Sequence, residues 1–122
     1  MSGSDKMVKV VIDQPGSYDR LDVKTFDMPD PGAREVLIEV RACGVNYADV
    51  IVRMGLYKSA KEFVGWPITP GFEVAGVVAG LGAEVDDLEI GDEVVGLTLF
   101  GGYSSHVVTG RPYVYRKPAG LS

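Results

Sequence analysis

Glu35 to Met54 reads EVLIEVRACGVNYADVIVRM, and a change of period within it decides the fold. Up to Cys43 the apolar residues alternate, placing Val36, Ile38 and Val40 on one face of a strand. From Asn46 the period changes. Ala48, Ile51 and Val52 now fall on one helical face, and Gly55 stands at the exit. Asn46 is a good N-cap, and Asp49, three residues on, takes the place of the usual Glu or Gln in a capping box. The reading predicts a long strand over 35–43 that hands the chain to a short helix over 46–54.

Strand signals surround this unit. Met7 to Ile12 (MVKVVI) is β-branched and ends before Pro15-Gly16, and Leu21 to Phe26 (LDVKTF) alternates as a half-buried strand would. Met28 to Gly32 (MPDPG) breaks regular pairing, and Tyr57 to Pro70, with Pro67 and Pro70, reads as a loop. Phe72 to Leu81 (FEVAGVVAGL) predicts a strand crowded on both faces or bent at Gly76. Further strands are expected over 93–97, 103–109 and, briefly, 113–115. Many short strands, one or two short helices and closely spaced turns describe a mainly β domain, a small barrel or sandwich.

Composition agrees. The chain has 122 residues, 46% hydrophobic and 24% charged, which suits one domain with a single core. Its 16 glycines are roughly double the usual share of about 7%, as expected of a chain rich in tight turns. A net charge of −5 argues against a nucleic-acid surface, and the one cysteine excludes a disulfide framework. No apolar run approaches the roughly 20 residues of a membrane helix. Met1 to Lys6 (MSGSDK) is polar and reads as a leader or an expression remnant, with the domain over 7–122. A cytoplasmic location is the expectation.

The chemistry-bearing residues are few. No G-x-G-x-x-G or Walker loop occurs, so the chain offers no dinucleotide pocket of its own. Cys43 and His106 are too few to hold zinc, and each reads as structural, Cys43 as a small buried hydrophobe. Asn46 and Asp49 read as caps, although an amide at a helix start can also face a cleft. Tyr57 sits on the loop beyond the helix, as a packing residue or as a donor to an oxyanion. Glu73, opening an apolar strand, needs partners, and a buried ion pair or backbone hydrogen bonds are expected for it.

Four motifs in order carry a resemblance. Cys43-Gly-Val-Asn-Tyr-Ala-Asp49, Arg53-Met-Gly-Leu-Tyr57, Pro70-Gly-Phe-Glu-Val-Ala-Gly76 and Gly91-Asp-Glu-Val-Val-Gly96 resemble the amino-terminal part of medium-chain dehydrogenase/reductases. The branch is the zinc-free quinone oxidoreductases, which includes zeta-crystallin and the vesicle amine transport protein relatives. The resemblance implies a GroES-like β-barrel that stops before the Rossmann domain. Zinc-dependent members carry Cys where this chain has Asn46 and His where it has Phe72, so no zinc is implied. It further implies NADPH, bound mainly by the missing domain, and hydride transfer to a small-molecule quinone or enone in a homodimeric parent protein. Asn46 and Tyr57 would be catalytic, and Asn46 and Asp49 would face the cofactor. An enoyl reductase domain of a polyketide or fatty-acid synthase fits almost as well. A stand-alone GroES-like barrel acting as a binding module is the reading from a different class.

Overall fold

The structure, a computed structural model, describes residues 6–55, 67–98, 100–118 and 120. Strands β1 (Lys6–Ile12) and β2 (Leu21–Asp27) form an antiparallel hairpin. Strands β3 (Glu35–Cys43), β4 (Glu73–Leu81), β5 (Glu93–Leu97), β6 (His106–Gly110) and β7 (Val114–Arg116) form a second, wholly antiparallel sheet in the order β6-β3-β4-β5-β7. One helix, α1 (Tyr47–Arg53), and two short 3-10 turns complete the described chain. The result is mainly β, a curled half-barrel of the GroES-like type. No described helix is long and apolar enough to cross a membrane.

The core lies inside the curl of the five-stranded sheet, where Val36, Ile38, Val74, Val78, Val94, Val107 and Val114 pack with Leu88. A smaller cluster of Ile12 and Ile68, flanked by Phe72 and Phe100, joins the hairpin to the loop before β4. The two sheets are stitched by residues 103–105. The Val10 amide donates to the Tyr103 carbonyl at 2.9 Å, the Ser105 amide to Val8 at 2.8 Å, and the Val40 amide to Ser105 at 2.8 Å. This segment therefore runs between β1 and β3. That is why β6 begins at His106 and not at Tyr103, where alternation alone placed it.

Other expectations shift for equally local reasons. The 35–43 and 93–97 strands stand as expected. Lys6 belongs to β1 and pairs with Asp27, so the strand begins one residue before the expected Met7. β2 is exposed along nearly its whole length, because among the described strands it pairs only with β1. In β3, Leu37 is as buried as Val36 and Ile38, while Val40 is only half-buried. Register shifts at Leu37/Ile38 and Val40/Ala42 break the simple alternation. Tyr113 falls in a 3-10 turn, Arg111–Tyr113, and β7 begins after it. Of the 57–70 loop, residues 57–66 lie outside the described residues; Ile68 bridges to Ile12.

Gly76 explains the crowding expected of β4. A Cβ there would overlap the Glu39 carbonyl oxygen and meet Ile38 Cγ2 at 3.1 Å. Gly76→Ala is expected to cost at least as much as ordinary core overpacking, about 1–3 kcal/mol, and Ile38→Ala about 2–5 kcal/mol. Urea unfolding of each variant checks both. Equal midpoints for Gly76→Ala and the parent would contradict the close approach.

Ion pairs on the surface hold three carboxyls below their ordinary values: Asp27 beside Lys6, Asp87 beside Arg111 and Glu93 beside Lys117. Because the folded values are the lower ones, this contribution is present above the unfolded carboxylate range and is lost as pH falls through the folded values. All three groups are exposed, so the contribution is small and screened by salt. Melting temperatures should therefore decline on acidification below about pH 4, with part of that decline abolished by salt. A decline independent of salt would assign acid sensitivity to other groups.

Candidate functional site

The site grows from the carboxyl end of β3. The Gly44 amide donates to the Glu73 carbonyl at 3.1 Å, holding the exit of β3 beside the start of β4. Val45 follows, 77% exposed, and then Asn46, also exposed, stands immediately before α1. The Asn46 amide donates to Asp49 Oδ2 at 2.9 Å, and the Asp49 amide donates to the Asn46 carbonyl at 2.9 Å. The first bond is the reach expected of Asp49, from the third helical position back to the Asn46 backbone amide; the second is a backbone turn bond.

Asp49 does more than cap. It is only 4% exposed, whereas Ala48 and Ile51, placed by periodicity on the apolar face, are half-buried. The Tyr103 hydroxyl, on the loop between β5 and β6, donates to the same Oδ2 at 2.8 Å. Asp49 Oδ1 is buried with no hydrogen-bond partner among the described residues. Burial, the hydrogen bond to Asp49 and the carboxylate's charge together push the Tyr103 hydroxyl well above the ordinary tyrosine range. Tyr103 is therefore a donor that keeps its proton.

The backbone around Tyr103 is fixed on both sides. Its amide donates to the Pro70 carbonyl at 2.9 Å, and its carbonyl accepts from Val10. This needs two chain segments to cross without side chains. Gly71 has φ of +111°, and a Cβ on it would lie 2.7 Å from the Gly102 Cα. The Gly102 amide and the Thr98 hydroxyl both donate to the Gly71 carbonyl, at 3.1 and 2.9 Å. At the other end of α1, Gly16 and Arg53 exchange bonds: the Gly16 amide donates to the Arg53 carbonyl at 2.9 Å, and Arg53 Nε to the Gly16 carbonyl at 3.2 Å.

The structure thus brings Asn46 and Asp49 together at the helix start. Tyr57 lies outside the described residues. Cys43, expected to be buried, is exposed, although its partner across the ladder, Val74, lies in the core; it borders an apolar cavity of about 490 Å³ with Val8, Val10, Val23, Val45 and Tyr103. Glu73 is exposed and not in a buried ion pair; its carboxyl group lies over Gly44, where a Cβ would overlap it. His106 contacts the Ser105 hydroxyl at 3.0 Å through Nδ1 and is half-buried in β6. Tyr103 is the residue that sequence reasoning missed. It stands 54 positions from Asp49, and no local pattern links the two.

No group of three or more His, Cys, Asp or Glu able to hold a metal occurs among the described residues. Phe72 packs with Ile12, Ile68 and Phe100, its ring 5.4 Å from that of Phe100 and tilted by 50°. An aromatic hydrocarbon ring and the Asn46 amide do not make a zinc donor set.

Residues 32–120 match the alcohol dehydrogenase GroES-like domain. The mouse (Mus musculus) synaptic vesicle membrane protein VAT-1 homolog-like is 33% identical over the whole chain, which spans 28% of that protein. Among solved structures, the CurK enoyl reductase superposes with a TM-score of 0.89 at 37% identity, over 97% of this chain and 37% of that one. The Escherichia coli quinone oxidoreductase, complexed with NADPH, superposes with a TM-score of 0.86 at 29% identity, over 94% of this chain and 34% of that one. The chain therefore spans well under half the length of the proteins it matches. Fold, motifs and likeness agree: it belongs to the alcohol dehydrogenase GroES-like domain family, within the medium-chain dehydrogenase/reductases related to VAT-1 and the quinone oxidoreductases.

Proposed function

We propose that these residues form the catalytic domain of a zinc-independent, NADPH-dependent oxidoreductase that reduces quinones or α,β-unsaturated carbonyls. The observation that carries this reading is the capped start of α1, whose backbone is held by Asp49 while the exposed Asn46 side chain stands at the end of β3 and Phe72 sits in an apolar cluster. NADPH, when bound by the full-length protein, supplies the hydride. Reduction of a quinone or enone places negative charge on an oxygen, and that charge calls for hydrogen-bond donors and a proton. The Asn46 side-chain amide is suited to orient the reacting groups, the Tyr57 hydroxyl to donate to the developing oxyanion, and the Asp49 carboxylate to hold the Asn46 backbone in place. Zinc independence is supported by Phe72 and Asn46, neither of which can replace a thiolate or imidazole ligand.

The likeness to the CurK enoyl reductase, at 37% identity, favours a second reading within the same chemistry: an acyl thioester enone as substrate. The two are separated by comparing free quinones with enoyl thioesters on the full-length protein.

The full-length protein is expected to consume NADPH with a quinone, an enone or an enoyl thioester, at a rate unchanged by a chelator. The 122-residue chain alone is expected to give no turnover, since its sequence carries no G-x-G-x-x-G loop to hold a dinucleotide. Failure of every acceptor with the full-length protein would remove the oxidoreductase reading, and loss of rate on chelation would remove zinc independence. Asn46→Ala is expected to lower kcat/KM by roughly 10- to 100-fold, and Tyr57→Phe to lower kcat by a similar factor. Steady-state kinetics on each variant decides, and unchanged turnover across acceptors would take that residue out of the mechanism.

A further inference from the structure

We infer that Tyr103 is a positioning residue of the site, acting through Asp49 to fix Asn46 at the start of α1. The inference deepens the oxidoreductase reading and rests on it for its kinetic consequence, though not for its geometry.

A helix of seven residues is not held by its own hydrogen bonds. Its position depends on what ties its ends. The far end is tied through Arg53 and Gly16. At the near end, the Asn46 amide is bound to Asp49 Oδ2, so Asn46 is only as well placed as that carboxylate. Among the described residues, the carboxylate has one side-chain donor, the Tyr103 hydroxyl; Oδ1 has none. A buried carboxylate needs its donors, and removing the tyrosine hydroxyl would leave it, among the described residues, with the Asn46 backbone amide.

Tyr103 is itself anchored independently of α1. Its amide and carbonyl are bonded to Pro70 and Val10, on the two sides of the Gly71–Gly102 crossing. The hydroxyl is therefore delivered from a rigid junction of β1, the loop before β4 and the loop before β6. The line of force runs from that junction through Tyr103 Oη and Asp49 Oδ2 to the Asn46 amide. Tyr103 touches no reacting atom in this account; it sets where Asn46 stands. Burial and the neighbouring carboxylate make its hydroxyl harder to ionise than free tyrosine, which keeps it a donor to Asp49.

Two measurements on the full-length protein test the inference. The first is amide exchange followed by NMR. In the wild type the Tyr103 hydroxyl proton should exchange far more slowly than bulk and show proximity to the Asn46 amide proton. In Tyr103→Phe the Asn46 amide should exchange roughly 10- to 100-fold faster, while the core amides of β3 and β4 keep their rates. Bulk-rate exchange of the wild-type hydroxyl overturns the inference whether or not the variant folds, and so does an unchanged Asn46 amide.

The second measurement is a kinetic cycle. Tyr103→Phe should lower kcat about tenfold with KM within about twofold, and should have no further effect in an Asn46→Ala background. Additive effects would show that Tyr103 does not act through Asn46 and would overturn the inference. If the wild type turns over no quinone, enone or enoyl thioester, the oxidoreductase reading fails, and the exchange result alone decides the positioning role.

Discussion

The pairing of β3 with β4 is the constraint on which the rest of the molecule depends. These two nine-residue strands carry Val36, Ile38, Val74 and Val78 into the core, and each is flanked by a further strand. Gly76 allows the backbones to close up against Glu39, and the register slips between Val40 and Ala42 in the same stretch. The slip matters beyond the core. It sets where β3 ends relative to β4, and hence where the Gly44 amide meets the Glu73 carbonyl and where α1 begins. A strand pair built to pack a core thus aims a helix at the rim of the sheet.

The fold was largely legible because its signals are local. Alternation in EVLIEV, glycine-bounded turns and a change of period at Asn46 each depend on residues within a few positions of one another. What could not be read depends on neighbours distant in sequence. Alternation in β2 suggested a buried face, but among the described residues no second layer covers that strand, and Val23 is 66% exposed. Cys43 belongs to an apolar strand by sequence, yet it is exposed at the strand's end, after the register shift between Val40 and Ala42. Tyr103 to Ser105 alternate like the strand that follows them, but they bridge to β1, a partner nearly a hundred residues away.

The same division holds within the site. Asp49 was legible as a cap from its spacing to Asn46, and that reading is correct as far as it goes. A cap on an exposed helix end would sit in solvent, however, and this one is 4% exposed. Burial turns an ordinary capping carboxylate into a group that must find donors, and Tyr103 supplies one from across the domain. Sequence patterns report which residues suit a local conformation. They do not report which of those residues the tertiary fold will bury, and burial is what gives Asp49 its leverage.

Burial also assigns different work to the two tyrosines. A hydroxyl beside a buried carboxylate gives up its proton less readily than free tyrosine, because ionising it would place two negative charges together in a poorly solvated place. Tyr103 is therefore a poor general acid and a good strut. In the proposed reduction, the proton that quenches the product oxyanion must come from another group, and Tyr57 or solvent is left to provide it. Keeping the proton on Tyr103 leaves the Tyr103–Asp49 bond intact while that other proton is delivered. The position of Asn46 then does not vary with the protonation step that completes the reaction.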